Sequence, residues 1–222
     1  MLSRRGWLIT LTAAMMLIAG CGSGEPAERT RSYTATASAG PGSGTETVVL
    51  APVDSSGNVA AGWLKDRSDG RSPIDCSSGA PSPYDVGTGV RWCGSNADGG
   101  DACWPTAGGN YVLCLSNPFG TVLRLLGAAG ADSPLKPRRV AAYPMALVLD
   151  DGDQCRAVLG GAWGLRGAPE YTCGNATGIW SAPDRPGGID RRSDDWVVEV
   201  GSEDGPPDTP RRVKTAYFVG MG

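Results

Sequence analysis

The sequence contains no histidine and only two phenylalanines in 222 residues. Without histidine, the His-dependent serine and cysteine triads, His-ligated zinc sites and imidazole pH switches are all excluded. Lys+Arg number 20 against 23 Asp+Glu, so there is no excess of basic residues and we expect no nucleic-acid partner. The chain also lacks a Walker loop, a G-x-S-x-G elbow and a G-x-G-x-x-G loop, the common hydrolase and nucleotide-binding signatures.

Glycine and proline are abundant instead, with 34 and 17 residues respectively. Both residues disfavour the interior of a helix, so this composition argues against a helical bundle, a coiled coil or a helical solenoid. We therefore predict a mainly β fold: a small antiparallel body of short strands, with many loops and a modest core.

The first 20 residues have the pattern of an export signal. Arg4 and Arg5 form a short cationic segment, and residues 6–20 carry no charge. This uncharged segment would form a helix of about 22 Å, which is too short for a hydrocarbon core of ~30 Å. We predict a cleaved signal peptide over residues 1–20 rather than a membrane-spanning helix.

The end of that segment, Ile18-Ala19-Gly20-Cys21, resembles a bacterial lipobox. The resemblance implies a diacylglyceryl thioether on Cys21, cleavage after Gly20 and acylation of the new amino terminus. The protein would then be lipid-anchored on the extracytoplasmic face of the cell membrane through Cys21. The alternative is an ordinary cleaved signal that happens to be followed by a cysteine.

The remainder divides into a linker and a body. Residues 21–45 contain one large apolar side chain, Tyr33, and too little apolar surface to offset the entropy of ordering, so we predict a lipidated, disordered tether. Residues 46–222 are the predicted disulfide-rich β domain. A proline-containing segment near residues 133–140 is a possible boundary between two lobes.

Six cysteines lie in the predicted domain, and an even number in an exported chain indicates three disulfide bonds. They are Cys76, Cys93, Cys103, Cys114, Cys155 and Cys173. Cys155 with Cys173 is the best-supported pair because both lie in adjacent strand-like segments. The other four leave two pairings open: 93–103 with 76–114, or 76–93 with 103–114. No C-x2-C spacing or histidine supports a metal site, so we expect no metal and no cofactor.

Alternating apolar residues and turn chemistry predict the strands. A hairpin is predicted from residues 145–149 and 154–159 around an Asp-Gly turn, and another from 170–173 and 178–182. Further strands are predicted at 88–93, 110–116, 196–200 and 212–219, with Val213, Thr215, Tyr217 and Val219 on one face. Residues 121–126 and 60–65 have mild helical character.

Two groups of carboxylates could carry chemistry. Asp150, Asp151 and Asp153 lie at the predicted hairpin turn, where a solvated Asp-Gly turn is the simpler interpretation. Asp184, Asp190, Asp194 and Asp195 lie beside arginines 185, 191 and 192, a mixture typical of surface loops. A serine-lysine motif, Ser133-x-x-Lys136, is bracketed by prolines that prevent the helix it would need. We therefore assign no catalytic residue.

The tryptophans offer a second type of site. Trp92 and Trp104 each neighbour a cysteine, which predicts packing against a disulfide or in the core. Trp163 and Trp180 would indicate a binding face if they were exposed. The segment 160–164, Gly-Gly-Ala-Trp-Gly, would allow close approach of a ligand or another strand.

Several of these segments together resemble a group of actinobacterial, including mycobacterial, secreted proteins and lipoproteins that carry no assigned activity. The resemblance lies in Cys93-x9-Cys103-Trp104, residues 113–118 and 149–155, Gly160-Gly-Ala-Trp163 and residues 215–218. It implies an envelope location and a disulfide-bonded β-rich body, and it transfers no catalytic residue. The leading hypothesis is a non-enzymatic envelope lipoprotein that binds a cell-wall component or an envelope protein. The alternative is a secreted hydrolase that uses the carboxylates around 150–153 or 184–195 on cell-wall glycan.

Overall fold

The computed structural model describes residues 44–67, 73–94, 100–158, 169–182, 184–202 and 207–222, and within them nearly all regular secondary structure is β strand. The strands in chain order are β1 Glu46–Leu50, β2 Leu64–Arg67, β3 Ile74–Asp75, β4 Arg91–Cys93, β5 Gly100–Pro105, β6 Tyr111–Leu115, β7 Val122–Ala129, β8 Ala146–Leu149, β9 Gln154–Ala157, β10 Tyr171–Thr172, β11 Thr177–Ile179, β12 Ile189–Asp190, β13 Val197–Ser202 and β14 Pro207–Val219. Short 3-10 turns occupy Gly174–Ala176 and Pro186–Gly188. The predicted mainly β fold is therefore confirmed.

The C-terminal half forms a sheet in which six strands close on themselves. The order is β14-β8-β9-β10-β11-β13, and β13 pairs again with β14, while β1 and β12 add at the margins. Closure is possible because β14 is long: its first part pairs with β13 and its later part with β8 and β1. The interior is filled by apolar side chains, among them Leu147, Tyr171 and Ile179, all fully buried.

The N-terminal half forms the other sheet, which we term the first sheet; its strand order is β2-β7-β6-β5-β4, with β3 also paired to β7. The closed sheet is the second. In the first sheet, strands β4 to β7 are antiparallel, whereas β2 and β3 run parallel to β7. The chain leaves this sheet at Ala129 and enters the closed sheet at Ala146. Strand β1, which comes first in sequence, belongs to the closed sheet, so the two sheets do not divide the chain at a single point.

Three disulfide bonds are formed: Cys76–Cys93, Cys103–Cys114 and Cys155–Cys173. Of the two pairings left open for the first four cysteines, the structure has the one that joins near neighbours. Cys103 and Cys114 are direct cross-strand partners on β5 and β6. The first two bridges pack together in one buried cluster with Val112, Leu126 and Ala131.

Gly100 shows how closely that cluster is packed. It lies opposite Cys93 in the β4–β5 pair. A Cβ atom at this position would lie 2.2 Å from the Sγ of Cys103 and 2.7 Å from that of Cys114. Only glycine leaves room for the Cys103–Cys114 bridge to cross its Cα.

Trp104 lies in the core between the two sheets. The sequence predicts that this side chain packs either in the core or against a disulfide. Trp104 is fully buried and packs with residues such as Tyr84 and Leu113, while Cys103 belongs to the disulfide cluster. The separation follows from the strand geometry, because successive side chains point to opposite faces. The Trp104 Nε1 donates a hydrogen bond to the Gly220 carbonyl at 2.9 Å, which fixes the C-terminal segment to the core.

The prediction that Val213, Thr215, Tyr217 and Val219 share one face of the last strand is wrong. The register between β14 and β8 shifts between Val213 and Thr215, which marks a bulge. As a result Val213 packs inside the closed sheet together with Phe218, whereas Tyr217 and Val219 contact the core between the sheets. One strand thus contributes to both cores because the bulge reverses its alternation.

The two helical expectations are also wrong. Residues 122–129 form β7, which pairs with β2, β3 and β6, and the segment 60–65 ends in β2. In both places pairing with neighbouring strands overrides the local helical preference of leucine and alanine.

Several sequence predictions fall on residues outside the described ranges. They concern the signal segment, Cys21 and the tether as far as residue 43, together with Trp163 and the segment 160–164. Within the described residues, no helix is long and apolar enough to cross a bilayer.

Candidate functional site

A cleft of about 600 Å³ lies where the chain between the two sheets meets the loop before β13. One wall is apolar and consists of residues 140–143, and the other is formed by Ile189 and its charged neighbours in residues 184–192. Glu170, which directly precedes β10, also lines the cleft. Its volume is within the range of small-molecule binding sites.

Arg191 presents its guanidinium group on the charged wall. The guanidinium carbon lies 4.6 Å from the ring centroid of Trp196, a cation–π contact. Its Nη1 donates to the carbonyl of Ala142 at 3.4 Å. These two contacts hold the planar group between the closed sheet and the inter-sheet chain.

The adjacent Arg192 pairs with a carboxylate of its own loop. Its Nε donates to Oδ1 of Asp190 at 2.8 Å, and its Nη2 forms an ion pair with Oδ2 of the same carboxylate. These hydrogen bonds lower the pKa of Asp190 to about 2. Asp190 is therefore ionised over the whole physiological pH range and has no proton to donate.

The other two carboxylates of the cleft differ in their partners. Asp184 approaches the Nε of Arg185 at 3.5 Å, and Arg185 also pairs with Glu199 at 2.5 Å. Glu170 accepts a hydrogen bond from the Ser181 hydroxyl at 2.5 Å. Glu170 forms no ion pair with any residue in the described ranges.

Behind the apolar wall lies a cluster of tyrosines that sequence reasoning missed. Burial, with Glu170 and Asp101 adding to the effect, raises the pKa of Tyr143 to about 12. The Tyr143 ring meets that of Tyr84 edge-on at 5.2 Å. Burial also raises the pKa of Asp101, although a hydrogen bond from the Trp92 side chain opposes this. Burial likewise raises the pKa of Tyr84, so both tyrosines remain neutral at physiological pH.

The two buried tyrosines of this cluster differ in hydrogen bonding. The Tyr171 hydroxyl donates to the carbonyl of Pro144 at 2.8 Å. The Tyr84 hydroxyl, on a side chain that is only 1% exposed, has no hydrogen-bond partner among the described residues. It is a buried polar group left unsatisfied, which costs stability.

The predicted hairpin with Asp150, Asp151 and Asp153 is formed, and its carboxylates have structural partners. Arg211 of β14 contacts Asp150 at 3.1 Å and forms an ion pair with Asp151. Asp153 accepts hydrogen bonds from the backbone N–H groups of Gln154 and Gly174. In the described part of the chain, no group of three or more Cys, Asp or Glu residues could hold a metal ion.

Trp180 is half-buried, and it lines a small pocket of about 130 Å³ over the third disulfide. Thr172, Cys173 and Gly178 contribute to the same pocket. Cys173 is therefore partly accessible, whereas Cys155 and the four cysteines of the first sheet are buried.

The predicted site residues are thus distributed over separate places. Asp184 and Asp190 meet in the cleft, Asp195 pairs with Arg212 outside the cleft lining, and the hairpin carboxylates belong to another surface. Glu170 and Tyr143 reach the cleft from segments that carried no motif. The chain matches no protein-family model, no curated protein and no solved structure.

Proposed function

We propose that this protein is a lipid-anchored lipoprotein of the cell envelope whose disulfide-stabilised body binds a wall component or an envelope protein. Anchoring is supported by the lipobox-like Ile18–Cys21 and by the even number of cysteines in the body, which leaves Cys21 unpaired. Bridged cysteines are typical of oxidising, extracytoplasmic compartments.

Binding, rather than catalysis, is favoured by the state of the cleft carboxylates. Glycoside hydrolysis needs one carboxyl group that is protonated at the start of the reaction and a second that is ionised. Both oxygens of Asp190 accept hydrogen bonds from Arg192, Oδ1 from the backbone N–H and from Nε and Oδ2 from Nη2, which commits the carboxylate to Arg192 rather than to either catalytic role. This pairing is the single observation that carries the binding proposal.

The alternative is the carboxylate-dependent hydrolase acting on wall glycan. It is favoured by one feature, the presence of Glu170, Asp184 and Asp190 in the same cleft. Its test is release of soluble sugar from purified wall glycan, compared with a Glu170→Gln, Asp184→Asn double variant. Turnover by the parent that the double variant loses would establish the hydrolase and displace the binding module.

The anchor and the binding function are tested together in the expressing bacterium. Mass spectrometry of the native protein should show the acyl mass on Cys21, and Cys21→Ser should move the protein from the membrane to the soluble envelope fraction. Retention of the parent protein on wall or envelope material would support binding. A Cys21→Ser variant that stays membrane-bound as firmly as the parent would contradict the anchor.

A further inference from the structure

Two charged groups of the cleft have no ion-pair partner in the part of the chain that the structure describes, and they suggest what the cleft binds. The arginine-carboxylate pairs already described neutralise Asp184 and Asp190. Among the described residues, Arg191 forms no ion pair and Glu170 receives only the Ser181 hydroxyl. The cleft therefore offers one unneutralised cation and one unneutralised anion.

The geometry of Arg191 leaves much of its donor capacity free. A guanidinium has five N–H donors, and here one nitrogen is directed to the Ala142 carbonyl. Stacking on Trp196 restrains the plane of the group. A restrained guanidinium with unused N–H groups matches the two oxygens of a carboxylate, which it can bind with two parallel hydrogen bonds.

The remaining lining limits the size and polarity of the ligand. Ala141, Ala142 and Ile189 provide small apolar surfaces, and Val140 beside them is 71% exposed. The hydroxyl of Tyr143 stays protonated as a hydrogen-bond donor. These surfaces suit a short chain with small apolar side chains next to the charged end.

We propose that the cleft binds the free carboxyl terminus of a short peptide, with the carboxylate on Arg191 and a small side chain against Ala141, Ala142 and Ile189. This inference rests on the proposed binding function and specifies its ligand. Arg191 is the binding residue, and Trp196 is a positioning residue that restrains the guanidinium group.

The probe is N-acetyl-Ala-Ala, compared with its C-terminal amide, titrated into the full-length lipidated protein in detergent by calorimetry. The acid should bind at least about tenfold more tightly than the amide, because a hydrogen-bonded charge is lost in the amide. Arg191→Gln should abolish this difference. Arg191→Lys, which keeps the charge but loses the flat, two-pronged geometry, should retain only part of it.

Arg211→Gln is the matched control, because it removes an arginine that pairs with Asp150 and Asp151 on another surface, outside the cleft lining. It should leave the preference for the acid intact. Equal binding of acid and amide, or equal losses in the Arg191→Gln and Arg211→Gln variants, would overturn the carboxylate site. Circular dichroism of both variants excludes loss of fold as the cause.

Failure of this inference and failure of the proposed function are distinguishable. If neither peptide binds while the parent protein is still retained on wall or envelope material, the peptide-carboxylate site is wrong and the binding function stands. If that retention is also absent, the binding function itself is contradicted.

Discussion

The two buried tyrosines behind the cleft predict opposite effects of the same substitution. Tyr84 and Tyr171 are exposed by 1% and 0%, so each side chain is shielded from solvent. The Tyr171 hydroxyl donates to the buried Pro144 carbonyl, and the Tyr84 hydroxyl has no partner among the described residues. Replacement by phenylalanine removes one oxygen and preserves the ring in both places.

The magnitudes follow from the cost of unsatisfied buried groups. Removing an unsatisfied buried hydroxyl relieves a penalty of about 1–3 kcal/mol, so Tyr84→Phe should raise the free energy of unfolding by about 1 kcal/mol. Its edge-on contact with the Tyr143 ring is retained. Tyr171→Phe loses a hydrogen bond and leaves the Pro144 carbonyl unpaired, so it should lower the free energy of unfolding by about 1–2 kcal/mol.

The assay is urea unfolding at pH 7 with the disulfides intact, followed by tryptophan fluorescence. The two variants should differ by about 2–3 kcal/mol in the free energy of unfolding, with similar m-values. A similar loss of stability in both variants would refute the reasoning, because it would mean that the Tyr84 hydroxyl is satisfied in solution. Tyr143→Phe, at a half-buried tyrosine that lines the cleft, serves as an intermediate control.

Three further predictions concern packing, redox behaviour and pH. Gly100→Ala should lower the free energy of unfolding by about 1–3 kcal/mol or block the Cys103–Cys114 bridge, as measured by urea unfolding and thiol titration. Gly127→Ala should be tolerated, because its Cβ would meet nothing nearer than 3.6 Å. Under mild reductant, alkylation and mass spectrometry should show the Cys155–Cys173 pair opening first, because Cys173 is half-buried and lines a pocket whereas the other bridged cysteines are buried. Earlier opening of either of the other two bridges would contradict this. The free energy of unfolding should fall as the pH rises from 10 towards 12, because tyrosine in the unfolded chain ionises near pH 10 while the pKa of Tyr143 in the folded protein is about 12. A series of melting temperatures at alkaline pH should show a shallower fall for Tyr143→Phe than for the parent.

Some of the fold could be predicted because its signals are local. The hairpin of β8 and β9 has alternating apolar residues on both sides of an Asp-Gly turn, and the structure forms it there. Strand β7 could not be predicted, because its leucine-rich sequence satisfies a helix as well as a strand. Its pairing with the preceding strand β6 and with β2 and β3 makes it a strand, and β2 and β3 come from distant parts of the chain.

The candidate site shows the same limit more clearly. Arg191 and Arg192 are identical in type and adjacent in sequence. Arg192 pairs with Asp190, whereas Arg191 stacks on Trp196 and has no ion-pair partner among the residues that the structure describes. Glu170, which directly precedes β10, lines the same cleft, and no sequence motif marks it.

By itself, the sequence determined the mainly β class, the three disulfide bonds and the hairpin turns. Composition and an even cysteine count are totals over the chain, and period-two alternation is a property of neighbouring residues, so none of them depends on which distant residues meet. Only the tertiary structure decided which of the first four cysteines of the body pair, which faces the last strand presents and which charged groups of the cleft form ion pairs. Those properties depend on strand register, on a bulge and on the closure of the second sheet, which bring together residues far apart in the chain.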